Sequence, residues 1–269
     1  MNGLLWVAAD GGVVAKRNLI KIKRVPELLV WILISPIMFV LLFAYVFGGS
    51  IPIPGLEGGY REFLIAGIFA QTVIFGATYT GAGLADDMQK GIIDRFRSLP
   101  MSRSAVLVGR TGSDVVYNVM SLAIMAGTGL IVGWRVRSSL LDAAGGFLLL
   151  LLFSYAFSWV MATVGLLVPS VEVVNNASFI VIFPLTFISN AFVPLENLPG
   201  PLRAFAEWNP VSALTQAARE AFGNVSPALP APEVWSMQNP VLYTLIWVGI
   251  ILAVFVPFSV RLYKRAATK

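Results

Sequence analysis

The chain has 269 residues, of which 57% are hydrophobic and only 12% charged, and its mean hydropathy is +0.80. A soluble domain carries about 25% charged residues; here the charges collect in a few segments between long uncharged runs, the layout of a polytopic membrane protein rather than of a soluble core. The net charge of +5 then reports orientation and gives no reason to expect nucleic acid, while the lack of Cys and His excludes disulfides, thiolate chemistry, the usual zinc and haem sites and His-based acid–base catalysis.

Residues 1–27 hold no cleavable signal pattern, because the basic residues follow the short apolar run Leu4–Ala9 instead of preceding it. Lys16, Arg17, Lys21, Lys23 and Arg24 alternate with Val14, Ala15, Leu19, Ile22 and Val25. This predicts a moderately amphipathic helix lying on an anionic membrane face, or equally a basic stop before the first span. The first span is expected over about 28–47, with Trp31 and Tyr45 near its ends and a kink at Pro36. The Gly/Pro-rich stretch Gly48–Tyr60 turns outside the bilayer. The second span covers about 63–84 and carries Gln71, Thr72, Thr78 and Thr80.

The polar interruption that follows, residues 86–103, predicts a short helix over Asp86–Leu99 ended by Pro100. Met88, Ile92, Phe96 and Leu99 form one apolar edge, and Asp87, Lys90, Asp94, Arg95 and Arg97 cover the other faces. It is too polar for lipid and has an edge with which to dock. Asp86 and Asp87 are adjacent carboxylates without a His partner, and the first turn of a helix explains them more simply than a metal site.

The third span runs from about 106 or 113 to 134, with Asp114, Asn118, Ser121 and Thr128 on one face. The fourth covers about 140–168. The fifth, about 173–192, repeats a polar stripe at Asn175, Ser178, Thr186 and Ser189, and Pro184 is expected to interrupt it. Each stripe admits two readings: packing against a neighbouring helix, with small hydroxyl residues as contacts, or lining a translocation path. Residues 194–238 predict two short non-spanning helices. The second is opened by Asn209 and Pro210 and closed by Gly223–Asn224. The sixth span lies at about 240–260. Putting both termini and the 84–110 loop on one side collects every lysine there (Lys16, Lys21, Lys23, Lys90, Lys264 and Lys269). The opposite side keeps only Arg61, Arg135, Arg137, Arg203 and Arg219, so both termini are expected in the cytoplasm. The chain has no G-x-x-x-x-G-K-[ST] run and no inverted repeat.

Two segments carry a resemblance. The run Asp87-Met-Gln-Lys-Gly91-Ile-Ile-Asp94-Arg95-Phe-Arg97-Ser-Leu-Pro100-Met-Ser102-Arg103 is similar to the cytoplasmic loop after the second span of type-2 ABC exporter permeases, most closely those of the daunorubicin/doxorubicin-resistance type. The run Phe187-Ile-Ser189-Asn-Ala-Phe-Val-Pro194-Leu-Glu-Asn-Leu198-Pro199, with Asn209-Pro210, resembles the end of their fifth span and the outer helices before the sixth. Departures are Asp87 and Asp94, where glutamate is common, and Asn190, where Gly is common.

The resemblance implies an all-α fold, a single transmembrane domain over 1–269 with six spans in a bacterial cell membrane. The interfacial connecting helix would occupy 1–27, spans one to five 28–193, extracellular or re-entrant helices 194–238, and span six 239–261. It implies a permease subunit without catalytic, metal or cofactor site. ATP and Mg would sit on a separate ATP-binding subunit, and a second permease copy or sister chain would complete the dimer. Asp87, Met88, Gly91, Ile92, Asp94, Arg95, Phe96 and Leu99 would form the ATPase-coupling helix. Asp114, Asn118, Ser121, Asn175, Ser178, Thr186 and Ser189 are candidates to line the path of a hydrophobic drug or lipid-like cargo. Export of an envelope glycolipid or polysaccharide is the neighbouring reading. An ion-coupled carrier working without an ATPase, or a scaffold, are the readings of another class.

Overall fold

The computed structural model describes residues 10–18, 20, 34, 37–47, 51–93, 105–168 and 170–266. These are mostly helical, with no strand among the described residues. In chain order they form α1 (10–18), α2 (Ile37–Val46), α3 (Tyr60–Gly76), α4 (Thr78–Gln89), α5 (Ala105–Val132), α6 (Leu140–Leu167), α7 (Val171–Phe187), α8 (Gly200–Trp208), α9 (Pro210–Phe222) and α10 (Pro240–Ala266). Among the described residues four helical stretches, with α3–α4 taken as one, are long and apolar enough to cross a membrane, and α2 and α7 are shorter apolar helices. The chain is an all-α polytopic membrane protein.

Helix α6 is the centre. Ser139 caps it by accepting from the Asp142 amide at 3.1 Å, and it packs against α4, α5, α9 and α10. The α3–α4 stretch bends at Ala77. There Gly76 weakens the helix and Thr78 Oγ1 donates back to the Phe75 carbonyl at 2.7 Å. At the end of the bundle bearing α1, Leu84, Ile93, Val106, Leu107, Trp159 and Tyr263 form a small cluster of their own. The larger cluster fills the rest, from α3 through α6 to α9.

Several boundaries differ from the sequence expectation. The second span does not stop near Leu84: α4 continues to Gln89 and takes Asp86, Asp87 and Met88 with it. The helix expected over Asp86–Leu99 is therefore divided. Gly91 sits at φ +64°, a conformation that favours glycine and stops α4, and helix resumes at Ile92 and Ile93. Asp94, Arg95, Phe96 and Leu99 lie outside the described residues, as do Trp31 and Pro36. Pro184 does not interrupt α7. The helix runs one turn past it and ends at Phe187, where the Ile188 amide still donates to the Pro184 carbonyl at 2.9 Å. The proline lacks only a donor, and the surrounding packing holds the helical turn.

At the opposite end, the chain after α7 folds back into the bundle. Asn209 Nδ2 donates to the Leu185 and Ile188 carbonyls at 2.7 and 2.8 Å, while its Oδ1 accepts from the Val211 amide and caps α9. This one side chain ties the end of α7 to the start of α9. Helix α9 is not a surface helix: Val211, Leu214, Ala218 and Phe222 are buried on one side, and Ser212, Thr215 and Arg219 are buried as well. It is a short helix wedged against α3, α6 and α10.

Candidate functional site

Where α3 bends into α4, the helices part and leave a cavity of about 290 Å³. Its polar side is built from Gln71, Thr72 and Thr78 of the bend together with Asn118 and Ser121 of α5. Phe179, Phe183 and Phe187 recur every fourth residue on α7, so they share one helical face. They stack on one another, with ring centroids 5.0 and 4.1 Å apart. Phe75 meets Phe179 edge-on at 6.3 Å, and Tyr79 lies parallel to Tyr117 at 6.5 Å. With Phe39 of α2, seven aromatic rings face the cavity. Phe179 and Phe183 remain 53% and 41% exposed, so the aromatic wall is open to a partner or a ligand rather than sealed as core.

The candidate lining residues separate under this geometry. Asn118 and Ser121 reach the cavity. Asn118 is held in place by donating to the Asp114 carbonyl at 3.0 Å, one turn away on α5. Asp114 itself lies beside the cavity, buried, with Thr80 Oγ1 donating to its carboxylate. On α7 the polar stripe turns into the packing. Ser178 donates to Met161 Sδ at 3.3 Å, Thr186 to the Ile182 carbonyl at 2.9 Å, and Ser189 to the Thr186 carbonyl at 2.5 Å. Asn175 is exposed. The wall that α7 gives the cavity is its phenylalanine stripe, whose signal was the four-residue spacing of the aromatic residues.

At the α1 end, α1 lies across the start of α5 and the end of α4. Val14 is buried at 3% exposure, and a Cβ on Gly109 would come within 2.5 Å of the Gly11 carbonyl. Only a glycine permits that approach. Asn18 Nδ2 donates to Ser113 Oγ at 3.2 Å, and Arg17 pairs with the buried carboxylate of Asp87 at 3.4 Å. The neighbouring Asp86 pairs with Lys90 at 2.7 Å. Met88 packs on the small cluster and Ile92 is half-buried.

At the other end sits a residue that the sequence reading treated only as one of the sparse charges: Arg219. It is 2% exposed. Its Nε donates to the Phe63 carbonyl at 2.9 Å and its Nη2 to the Asn190 and Ala191 carbonyls at 2.6 and 3.2 Å. The guanidinium also lies 3.5 Å from the Phe63 ring centroid. Burial pulls its pKa down to about 9, which leaves it charged at neutral pH. Nearby, Arg137 reaches the fully buried Glu62 carboxylate at 2.8 Å, and its hydrogen bonds there hold its pKa above the ordinary value. Among the described residues no cluster of acidic side chains could hold a metal ion.

The ABC-2 type transporter family matches residues 11–222. The chain is 34% identical over 249 residues to the daunorubicin resistance ABC transporter permease protein DrrB1 of Streptomyces coeruleorubidus, covering 93% of this chain and 84% of that protein. It is 25% identical over 237 residues to the probable doxorubicin resistance ABC transporter permease protein DrrC of Mycobacterium tuberculosis, covering 88% and 81%. It is also 26% identical over 218 residues to the putative transport permease ycf38 of Cyanophora paradoxa, covering 80% and 74%.

Proposed function

Since the chain belongs to the ABC-2 type transporter family, we propose that it is the membrane-spanning permease subunit of an ATP-driven exporter and that its cavity at the α3–α4 bend receives a hydrophobic drug or lipid-like compound. The observation that carries the cargo reading is the aromatic wall: Phe75, Phe179, Phe183 and Phe187 offer stacking faces above a rim of uncharged polar groups. Such a lining takes flat apolar compounds and fixes them with few hydrogen bonds. Relatives named for daunorubicin and doxorubicin resistance support the same reading.

In this reading ATP and Mg bind a separate ATPase subunit, and a second permease copy or a sister chain faces the first. Both termini lie in the cytoplasm of a bacterial cell, so the α1 end meets the ATPase and the α9 end faces outward. The segment after Gly91, with Arg95 and Phe96, docks on the ATPase; α1 is tied to the last turn of α4 through the Arg17–Asp87 pair. Closure of the ATPase dimer then moves this end and switches access to the cavity.

Two measurements test it. In proteoliposomes holding the permease and its ATPase, a flat lipophilic aromatic compound should stimulate ATP hydrolysis. Phe183→Ala should raise the half-maximal concentration roughly five- to tenfold, the worth of about 1 kcal/mol of ring contact. Phe96→Asp should abolish co-purification with the ATPase while membrane insertion persists. Transport by the chain alone, without an ATPase, would replace this reading with an ion-coupled carrier.

A further inference from the structure

At the α9 end, away from the aromatic cavity, a second pocket of about 370 Å³ lies between α8, α9 and the proline-rich loop 224–234. Asn190 lines it and is 4% exposed, yet its Oδ1 has no hydrogen-bond partner. Its Nδ2 faces Gln216 Oε1 at 3.5 Å, and Gln216 in turn donates through Nε2 to Glu220 at 3.1 Å. Flipping the Asn190 amide would set oxygen against oxygen, so the orphan is an acceptor. The Oδ1 is closed off as the side chain stands, so a ligand donor reaches it when Asn190 turns toward the pocket, and a buried acceptor without a partner calls for such a donor.

The surrounding charges narrow what that donor belongs to. Glu196 and Glu233 line the pocket and are exposed, and Glu207 pairs with Arg203 at 2.8 Å. Three carboxylates oppose an anion. Arg203 and the buried Arg219 oppose a cation close to Asn190, whose own carbonyl Arg219 holds at 2.6 Å. Donors and acceptors are thus both plentiful and nearly balanced in charge, which suits neutral hydroxyls, since each can donate and accept at once. Pro227, Leu229 and Pro230 supply an apolar wall, and proline's fixed φ keeps that wall shaped in advance.

From the orphan Asn190 acceptor, the balanced charges and the apolar wall, we propose that this pocket binds a neutral sugar ring. The site goes beyond the export reading and does not depend on it, because binding is measurable on the chain alone.

The test uses the full chain in lipid nanodiscs, free of glycoside detergents. Saturation-transfer NMR and titration are run with the methyl glycosides of glucose, galactose, mannose and rhamnose, against cyclohexylammonium and cyclohexanecarboxylate as ions of similar size. At least one glycoside should bind in the millimolar range and both ions more weakly. Asn190→Leu should weaken that glycoside roughly five- to tenfold, and Glu233→Gln, at an exposed position, about two- to threefold. Absence of binding by every glycoside, tighter binding of either ion, or an unchanged affinity in Asn190→Leu overturns the proposal. If Asn190→Leu does not fold, Glu233→Gln decides, and an unchanged affinity there overturns it too. Sugar binding by the unaltered chain, with no ATP-driven transport when it is reconstituted with its ATPase, would count against the permease reading alone.

Discussion

The two ends of the bundle are fastened by different means. At the α9 end the ties are buried and multiple. Arg219 holds three carbonyls, Asn209 joins α7 to α9, and Trp134 Nε1 donates to Asn224 Oδ1 at 2.7 Å, while Asn224 Nδ2 donates to the Arg135 carbonyl at 2.9 Å. A Cβ on Gly67 would lie 2.0 Å from the Ala191 carbonyl, so the returning chain rests directly on α3. At the α1 end Asn18 Nδ2 donates to Ser113 Oγ at 3.2 Å in a buried contact, but the charged tie is partly wet. Arg17 meets Asp87 at 3.4 Å with its side chain 40% exposed, and α4 stops at a left-handed Gly91 just beyond. Buried polar ties resist opening, whereas a partly solvated ion pair opens at lower cost. The molecule is therefore built as a fixed end and an adjustable end.

The largest effect that would break this contrast is at Arg219. Arg219→Ala removes a buried donor from the Phe63, Asn190 and Ala191 carbonyls together with a ring contact, and should cost about 3 kcal/mol, read as a lowered unfolding midpoint of the chain alone in nanodiscs. Arg219→Lys keeps the charge without the planar fork and should recover only part of the loss. A midpoint unchanged in Arg219→Ala would mean that the α9 end is not the fixed one. Next comes Trp134→Phe, which leaves Asn224 Oδ1 without its donor in a cluster where Trp134 packs edge-on against Phe69 and Phe222. About 1–2 kcal/mol is expected by the same measurement.

The sequence made most of the fold legible, because lipid-sized apolar runs and their caps are local signals. Among the described residues six apolar helical segments fall in the expected order, and α9 begins at Asn209-Pro210 and ends at Gly223 in the left-handed conformation, as its caps predicted. What stayed hidden depends on packing. An arginine in the last turn of a short amphipathic helix ordinarily reads as solvated and dipole-complementing; that Arg219 is buried follows only from the return of residues 188–194 over α3. The clue was there in Ser212, Thr215 and Arg219, a polar row on one side of α9 that a surface helix does not need. The polar stripe on α7, for which packing and path-lining were both open, has the opposite character. Its hydroxyls satisfy backbone and sulfur acceptors inside the bundle, while the phenylalanines one step around the helix face the cavity. The stop at Gly91 was masked because Met88, Ile92, Phe96 and Leu99 keep helical spacing across a residue that breaks the helix.

The smallest expected change in stability sharpens the comparison most. Arg17→Gln takes the charge from the half-exposed side of the Arg17–Asp87 pair but leaves an amide donor beside the buried carboxylate, so its cost should stay near about 1 kcal/mol, well below that of Arg219→Ala. Its unfolding midpoint should stay close to that of the unaltered chain, in contrast with Arg219→Ala. If the α1 end transmits the ATPase stroke, however, the pair's worth lies in directing motion rather than in holding the fold. Arg17 ties α1 to Asp87 on the last turn of α4, and Gly91 is the joint just after it. Without that tie, a push on the segment after Gly91 bends the joint and is not passed to α4 and the cavity at its other end. Reconstituted with its ATPase, Arg17→Gln should hydrolyse ATP at a near-normal basal rate but lose most substrate-dependent stimulation and transport. Equal losses of stability and transport would make the α1 end a second fixed end. Normal transport with normal stability would leave the Arg17–Asp87 pair without a mechanical part and shift the coupling to the segment after Gly91 alone.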